Sequence, residues 1–188
     1  MKLVFPDITY KEKAIDFINS FKKAKSSVNG TGSLPRFLKN YSYEEWLIKL
    51  QKDLDIYNLS EDKLPALTYF YVDDDDEIVG MINCRFGLNA IQEQDFGHIG
   101  YSIRPEKRNL GYGTKMLKEA LKIYKKTKYF EVYVCANTDN SASIRVIENN
   151  EGIFVKSYYE EKYGGKCNCY KIKVNSNGKI IHTNKKET

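Results

Sequence analysis

The residues with the clearest chemical signature are Arg108-Asn109-Leu110-Gly111-Tyr112-Gly113, an arginine followed by two glycines one residue apart. A strand-like run, His98-Ile-Gly-Tyr-Ser-Ile-Arg104, precedes them, and a helical pattern follows from Thr114. Glycines at this spacing let the backbone turn sharply and approach an anion. A helix that starts there offers unpaired first-turn N–H groups and the positive end of its dipole. The segment therefore reads as a phosphate cradle. A dinucleotide fingerprint would need a third glycine where Met116 stands, and a Walker loop would need Gly-Lys-Ser/Thr after a longer gap, whereas Gly113 is followed by Thr114-Lys115. The competing bland reading is a tight strand-to-helix turn with no ligand.

The flanks favour the cradle. Pro105 cannot donate to a sheet ladder and restricts Arg104 before it, so the strand ends there and the loop lies where an anion could enter. Beyond Gly113, apolar residues recur at Met116, Leu117, Ala120, Leu121 and Tyr124, the spacing of one buried helix face. Lys115, Lys118, Lys122 and Lys125 occupy the other face, which reads as solvated. A second constellation, Val134-Cys-Ala-Asn-Thr-Asp-Asn140-Ser-Ala-Ser143-Ile-Arg-Val146-Ile-Glu148, passes from a strand into a helix, with Asn140 or Asp139 placed to cap it.

Two amphipathic helices are expected over Tyr10–Lys25 and Tyr43–Leu54, the second carrying Trp46, Leu47, Leu50 and Leu54 on one face. Between them, Ser26 to Pro35 is rich in turn formers and too long for a simple connection, so a mobile lid is favoured over a disordered insert. Leu67–Val72 and Ile78–Phe86 read as strands joined by Asp73-Asp-Asp-Asp-Glu77, a hairpin turn with attraction of a cationic substrate as its lesser reading. Further strands are expected at Asp95–Arg104, Phe130–Ala136, Ile153–Tyr159 and Cys169–Val174, and a helix at Asn140–Asn149. An Asn-Gly pair after Asn175 could turn a small hairpin in a polar tail. The order predicts one α/β domain over 1–188, with a mixed, mostly antiparallel twisted sheet of about six to seven strands flanked by about four helices.

Composition narrows the function. Hydrophobic residues at 41% with 13% aromatics place the chain among globular proteins rather than disordered ones. The longest apolar stretches are far too short to cross a bilayer and no apolar signal region opens the chain, so no membrane partner and a cytoplasmic location are expected. The four cysteines, Cys84, Cys135, Cys167 and Cys169, then read as reduced thiols. With only His98 and His182 to assist, their spacing offers no zinc site, and no metal is expected. The net charge of +5 comes from lysines spread among acids, which argues against a nucleic-acid partner. Only five arginines exist, and Arg104, Arg108 and Arg145 fall around the cradle.

Strand, Arg-x-x-Gly-x-Gly, then helix closely resembles the central signature of the GNAT superfamily of N-acetyltransferases, and the Val134–Glu148 segment resembles its next motif. The pattern covers about residues 5 to 175, with the specific motifs between His98 and Phe154. The resemblance implies that acetyl-coenzyme A is the co-substrate. It is held by Ile103, Arg108, Asn109, Leu110, Gly111, Tyr112, Gly113 and Thr114, with Asn140 and Ser143 beside it. The acceptor it implies is a small-molecule or protein amine. In that fold the strand before the cradle splays from its neighbour, so backbone N–H groups around Tyr101 to Ile103 can bind pantetheine and polarise the thioester carbonyl. Relatives often pair through their late strands, so a homodimer is compatible with this reading.

The catalytic side chains are less defined. His98 stands where many relatives have a glutamate, and an imidazole titrating near neutrality is the first candidate for general base. Glu93 and Asp95 are alternatives, and a histidine satisfied structurally is the competing reading. The tyrosine that protonates the thiolate in many relatives is replaced here by Ile147, leaving Tyr101, Tyr133, Tyr158 or Tyr159 as substitutes. Direct transfer in a ternary complex is expected over a Cys135 acyl intermediate. A sensor that binds acyl-coenzyme A without turnover is the second reading.

Overall fold

The computed structural model describes residues 1–55, 64–87, 97–160 and 164–175. In chain order the elements are β1 (Lys2–Val4), a 3-10 turn (Ile8–Tyr10), α1 (Lys11–Lys23), α2 (Leu34–Asn40), α3 (Tyr43–Lys52), β2 (Ala66–Val72), β3 (Ile78–Arg85) and β4 (Ile99–Ile103). A second 3-10 turn (Pro105–Lys107), α4 (Tyr112–Tyr124), β5 (Glu131–Asn137), α5 (Ser141–Glu148), β6 (Ile153–Glu160) and β7 (Gly165–Lys173) follow. The strands form two antiparallel sheets, ordered β1-β2-β3-β4 and β5-β7-β6, so the last strand is inserted between its two predecessors. The expected mixed α/β class is present, with seven strands and five helices among the described residues.

Helices cover both faces because the strands alternate. On β2, Phe70 and Val72 face one way and Tyr71 the other. Phe17, Phe21, Trp46 and Leu50 of α1 and α3 join Phe70, Ile78 and Met81 in one core. Met116, Leu117, Ala120 and Leu121 of α4 join Val79, Ile82, Val132, Val134, Tyr170 and Ile172 in the other. The second core draws on both sheets, so α4 is the element that holds them together.

Two elements escape the sequence reading. β1 is three residues long, too short for a period to show, yet pairs Lys2–Val4 with Phe70–Val72. α2 arises where turn formers suggested only a loop, because Pro35 sits in the first turn of a helix, where its missing N–H has no partner to lose. The 26–33 segment is packed against the sheet rather than a disordered insert. Asn29 N–H donates to Ser102 Oγ at 2.7 Å, and Trp46 Nε1–H donates to Gly32 O at 2.9 Å. A Cβ on Gly30 would stand 2.1 Å from Gly100 O, so the segment lies directly on β4 as a strap.

The acidic run does make the β2–β3 turn, with Asp73 N–H donating to Glu77 O and Glu77 N–H to Asp73 Oδ1. Its Asp76 carboxylate accepts from Tyr10 Oη–H and Lys13 Nζ, which anchors the turn to the first helical layer. Glu93, the residues preceding Gly97 in the expected Asp95–Arg104 strand, the Asn-Gly tail hairpin and His182 lie outside the described residues.

Candidate functional site

The site is built at a fork. His98 N–H donates to Tyr133 O on the neighbouring chain segment at 2.6 Å, but the next donor, Tyr133 N–H, goes to the His98 ring at Nδ1, 2.9 Å away. An imidazole thus takes the place of the next ladder rung, and β4 and β5 continue in separate sheets. His98 O accepts from Arg85 N–H on β3 at 2.8 Å, and Arg104 N–H donates to Val79 O at 2.9 Å. Alternation between these points turns the backbone groups of Gly100 and Ser102 toward β3 and those of Tyr101 and Ile103 toward the open side.

That side is a cleft of about 530 Å³. Tyr101, Ser102 and Ile103 of β4 form one wall, and Asn140, Ala142, Ser143, Arg145, Val146 and Asn149 around α5 form the other. Lys107, Arg108, Asn109, Gly111, Tyr112, Gly113 and Thr114 make the floor, and Ser26, Ser27 and Asn29 of the strap close one end. No side chain caps α4, so its first-turn N–H groups are left for whatever occupies the cleft.

The two glycines do different work. Gly111 has φ +76° and nothing within 4 Å of a Cβ built on it, so it supplies a left-handed turn beside open space. A Cβ on Gly113 would come within 2.9 Å of Val146 Cγ2, so this position lets α4 pack against α5. Arg108 is held in place by its Nη2–H bond to Ser26 Oγ at 2.9 Å and by the Phe21 ring, 5.5 Å below its guanidinium.

Of the residues expected at the cofactor, Ile103, Arg108, Asn109, Gly111, Tyr112, Gly113, Thr114, Asn140 and Ser143 line the cleft together with Tyr101. Leu110 does not; it is 57% exposed and points away. Asn140 caps α5, its Oδ1 accepting from Ser143 N–H at 3.0 Å. Tyr101 Oη lies 2.9 Å from Ser143 Oγ, and burial pushes its pKa up to about 12, which keeps the phenol protonated as a donor.

His98 is not brought to the cleft. It is fully buried, its ring stacked on Tyr133 and set edge-on to Tyr124 and Tyr129. Burial, with the Arg85 cation nearby, lowers its pKa to about 4. The ring leaves the cleft because β4 starts at Ile99 and the His98 N–H and C=O serve two strands at once. Ile147 is buried in the core, Tyr158 hydrogen-bonds Cys135, and Tyr159 is 66% exposed. Cys135 Sγ lies 3.2 Å from Cys169 Sγ and does not line the cleft.

Ser26, Ser27 and Asn29 fall in the Ser26 to Pro35 segment that its turn formers single out, Lys107 lies inside the Arg-Pro-Glu-Lys-Arg run, and Asn149 reaches the cleft with no local signal. Among the described residues no group of His, Cys, Asp and Glu is arranged to hold a metal ion.

Residues 33–152, more than half of the chain, match the model of the acetyltransferase (GNAT) family. The chain belongs to that family. No curated protein matches it. Among solved structures, the ribosomal-protein-S5-alanine acetyltransferase of Vibrio fischeri has a TM-score of 0.69 at 14% identity, covering 93% of this GNAT chain and 93% of that one. The ribosomal L7/L12 α-N-protein acetyltransferase RimL, in complex with coenzyme A, has a TM-score of 0.65 at 16% identity over 91% and 92% of the two chains. A mutant spermidine N-acetyltransferase SpeG of Vibrio cholerae has 0.58 at 11% over 93% and 95%. At such identities the likeness is one of fold.

Proposed function

We propose that this GNAT protein is an N-acetyltransferase that moves the acetyl group of acetyl-coenzyme A to a primary amine by direct attack in a ternary complex. One observation carries the reading. A basic, glycine-turned helix N-terminus and an open strand edge face the same cleft, the first suited to a pyrophosphate and the second to an extended pantetheine arm. The chemistry of the lining fits the group: Lys107, Arg108 and Arg145 supply cations, Gly111 leaves room for a phosphate, and Tyr101 and Ile103 supply N–H groups. Bound there, acetyl-coenzyme A supplies an acyl carbon already activated as a thioester.

The chain's own residues orient and stabilise. The backbone N–H groups of Tyr101 and Ile103 stand ready for a carbonyl oxygen as charge builds on it. Tyr101 Oη–H, set by Ser143, donates toward the leaving sulfur. Ser26, Ser27, Asn29 and Ser102 line the same cleft with hydroxyl and amide groups along which water can take up the proton of the acceptor amine. The acceptor is a protein or small-molecule amine, the two classes named for the similar structures.

The test is calorimetric titration of acetyl-coenzyme A into wild type and Gly111→Asp, followed by thiol release with a panel of peptides bearing free N-termini, polyamines and amino acids. Binding lost in the variant and release stimulated by an amine support the transferase. Binding without release across the panel moves the assignment to a sensor of acyl-coenzyme A, and absence of binding rejects both.

A further inference from the structure

The second sheet carries a cluster that acetyl transfer does not use. Cys135 on β5 and Cys167 and Cys169 on β7 share the sheet face opposite the core of Val132, Val134, Tyr170 and Ile172. Thr138 N–H donates to Lys166 O and Val174 N–H to Phe130 O, which makes the even-numbered residues of β5 the hydrogen-bonded pairs. Cys135 and Cys169, register partners at an odd position, therefore form a non-hydrogen-bonded pair. At such positions Cα atoms stand about 4.5 Å apart, inside the span of a disulfide. Their sulfurs are 3.2 Å apart as thiols. Cys167 lies opposite Asn137, and its thiol donates to the Asn137 amide oxygen at 3.2 Å. Cys135 is partly exposed whereas Cys169 is fully buried, so a soluble oxidant meets Cys135 first.

We propose that Cys135 and Cys169 are a reversible thiol-oxidation site whose oxidant is a peroxide. The Cys135 thiol releases its proton, its thiolate attacks one peroxide oxygen and breaks the O–O bond to give a sulfenic acid and hydroxide, and the hydroxide takes up that proton as water. Cys169 sulfur then displaces the sulfenic hydroxyl, which leaves as a second water. The sulfurs lose two electrons and two protons in all, the peroxide takes them up, and a dithiol reductant reverses the step. The inference stands on β5–β7 geometry and is independent of what the cleft binds.

The test treats the folded, full chain with hydrogen peroxide, blocks remaining thiols with N-ethylmaleimide and maps linked peptides by mass spectrometry. Because Cys167 and Cys169 are separated only by Asn168, the decisive sample is Cys167→Ser, in which Cys169 is the sole partner on β7. The expected result is a Cys135–Cys169 cross-link, lighter by two hydrogens and cleaved by dithiothreitol, in wild type and Cys167→Ser alike. In Cys169→Ser the cross-link is lost and Cys135 is trapped as sulfenic acid by dimedone. Cys84, fully buried, stays reduced throughout as an internal standard for a folded chain. A cross-link that disappears in Cys167→Ser while persisting in Cys169→Ser overturns the assignment, as does one that forms only in urea or a Cys169 that is fully alkylated after peroxide.

Discussion

At the scale of single residues, the cleft separates groups that hold from groups that react. Gly111 has an open position and a left-handed φ, so Gly111→Ala meets only the backbone strain, on the order of 1 kcal/mol, and keeps its affinity for acetyl-coenzyme A. Gly111→Asp adds a negative charge at the helix N-terminus and loses affinity on the order of a hundredfold, which titration calorimetry reads directly. Arg108 is set by Ser26 and Phe21 before any ligand arrives. Arg108→Ala, removing one charge-assisted contact, is expected to raise KM for acetyl-coenzyme A about tenfold with kcat nearly unchanged. Tyr101→Phe keeps the ring and deletes the donor held by Ser143. Its expected signature is the opposite one, kcat lower by roughly tenfold to a hundredfold at a KM within about twofold, measured by steady-state thiol release.

At the scale of elements, much of the architecture was legible because each long element carries its own period. α4 shows its buried face as Met116, Leu117, Ala120, Leu121 and Tyr124, and the cradle shows itself as glycines between a strand and that helix. What escaped reading had no local signal. Three residues of β1 hold no period, α2 carries in its first turn a proline that reads as a breaker, and the strap reaches the cleft only because Gly30 can approach Gly100. His98 shows what a family position leaves unread: its ring leaves the cleft at a residue whose N–H and C=O serve different strands, and no sequence period marks such a fork. Gly113 was legible as a turn glycine, yet its contact partner is Val146 on α5. Gly113→Ala therefore overpacks the α4–α5 contact and costs about 1–3 kcal/mol, and Val146→Ala in the same chain recovers most of it. Urea unfolding of the two single variants and the double variant gives the coupling; additive losses would remove Val146 as the cause.

At the scale of the whole molecule, the two sheets meet through one core and one fork. α4 binds them from below, and the His98–Tyr133 contact fixes the place where they part. That contact needs a neutral imidazole, since Nδ1 must accept the Tyr133 N–H. Burial holds the ring neutral down to a pKa of about 4, below the ordinary value of about 6.5 that the unfolded chain restores. Between those two values the unfolded chain binds more protons than the folded one, so acidification favours unfolding. The stabilisation is complete above about pH 6.5, falls as pH drops, and reaches a loss on the order of 3 kcal/mol below pH 4. His98→Asn offers an amide oxygen to the same N–H and cannot titrate, so its unfolding free energy should lack the part of the acid loss that wild type shows between about pH 6.5 and 4. His98→Leu fills similar space but strands the Tyr133 N–H, and is expected to be less stable than His98→Asn by about 1–3 kcal/mol at neutral pH. Urea unfolding followed across this pH range compares all three, and parallel pH profiles for wild type and His98→Asn would show that the fork does not depend on the charge of His98.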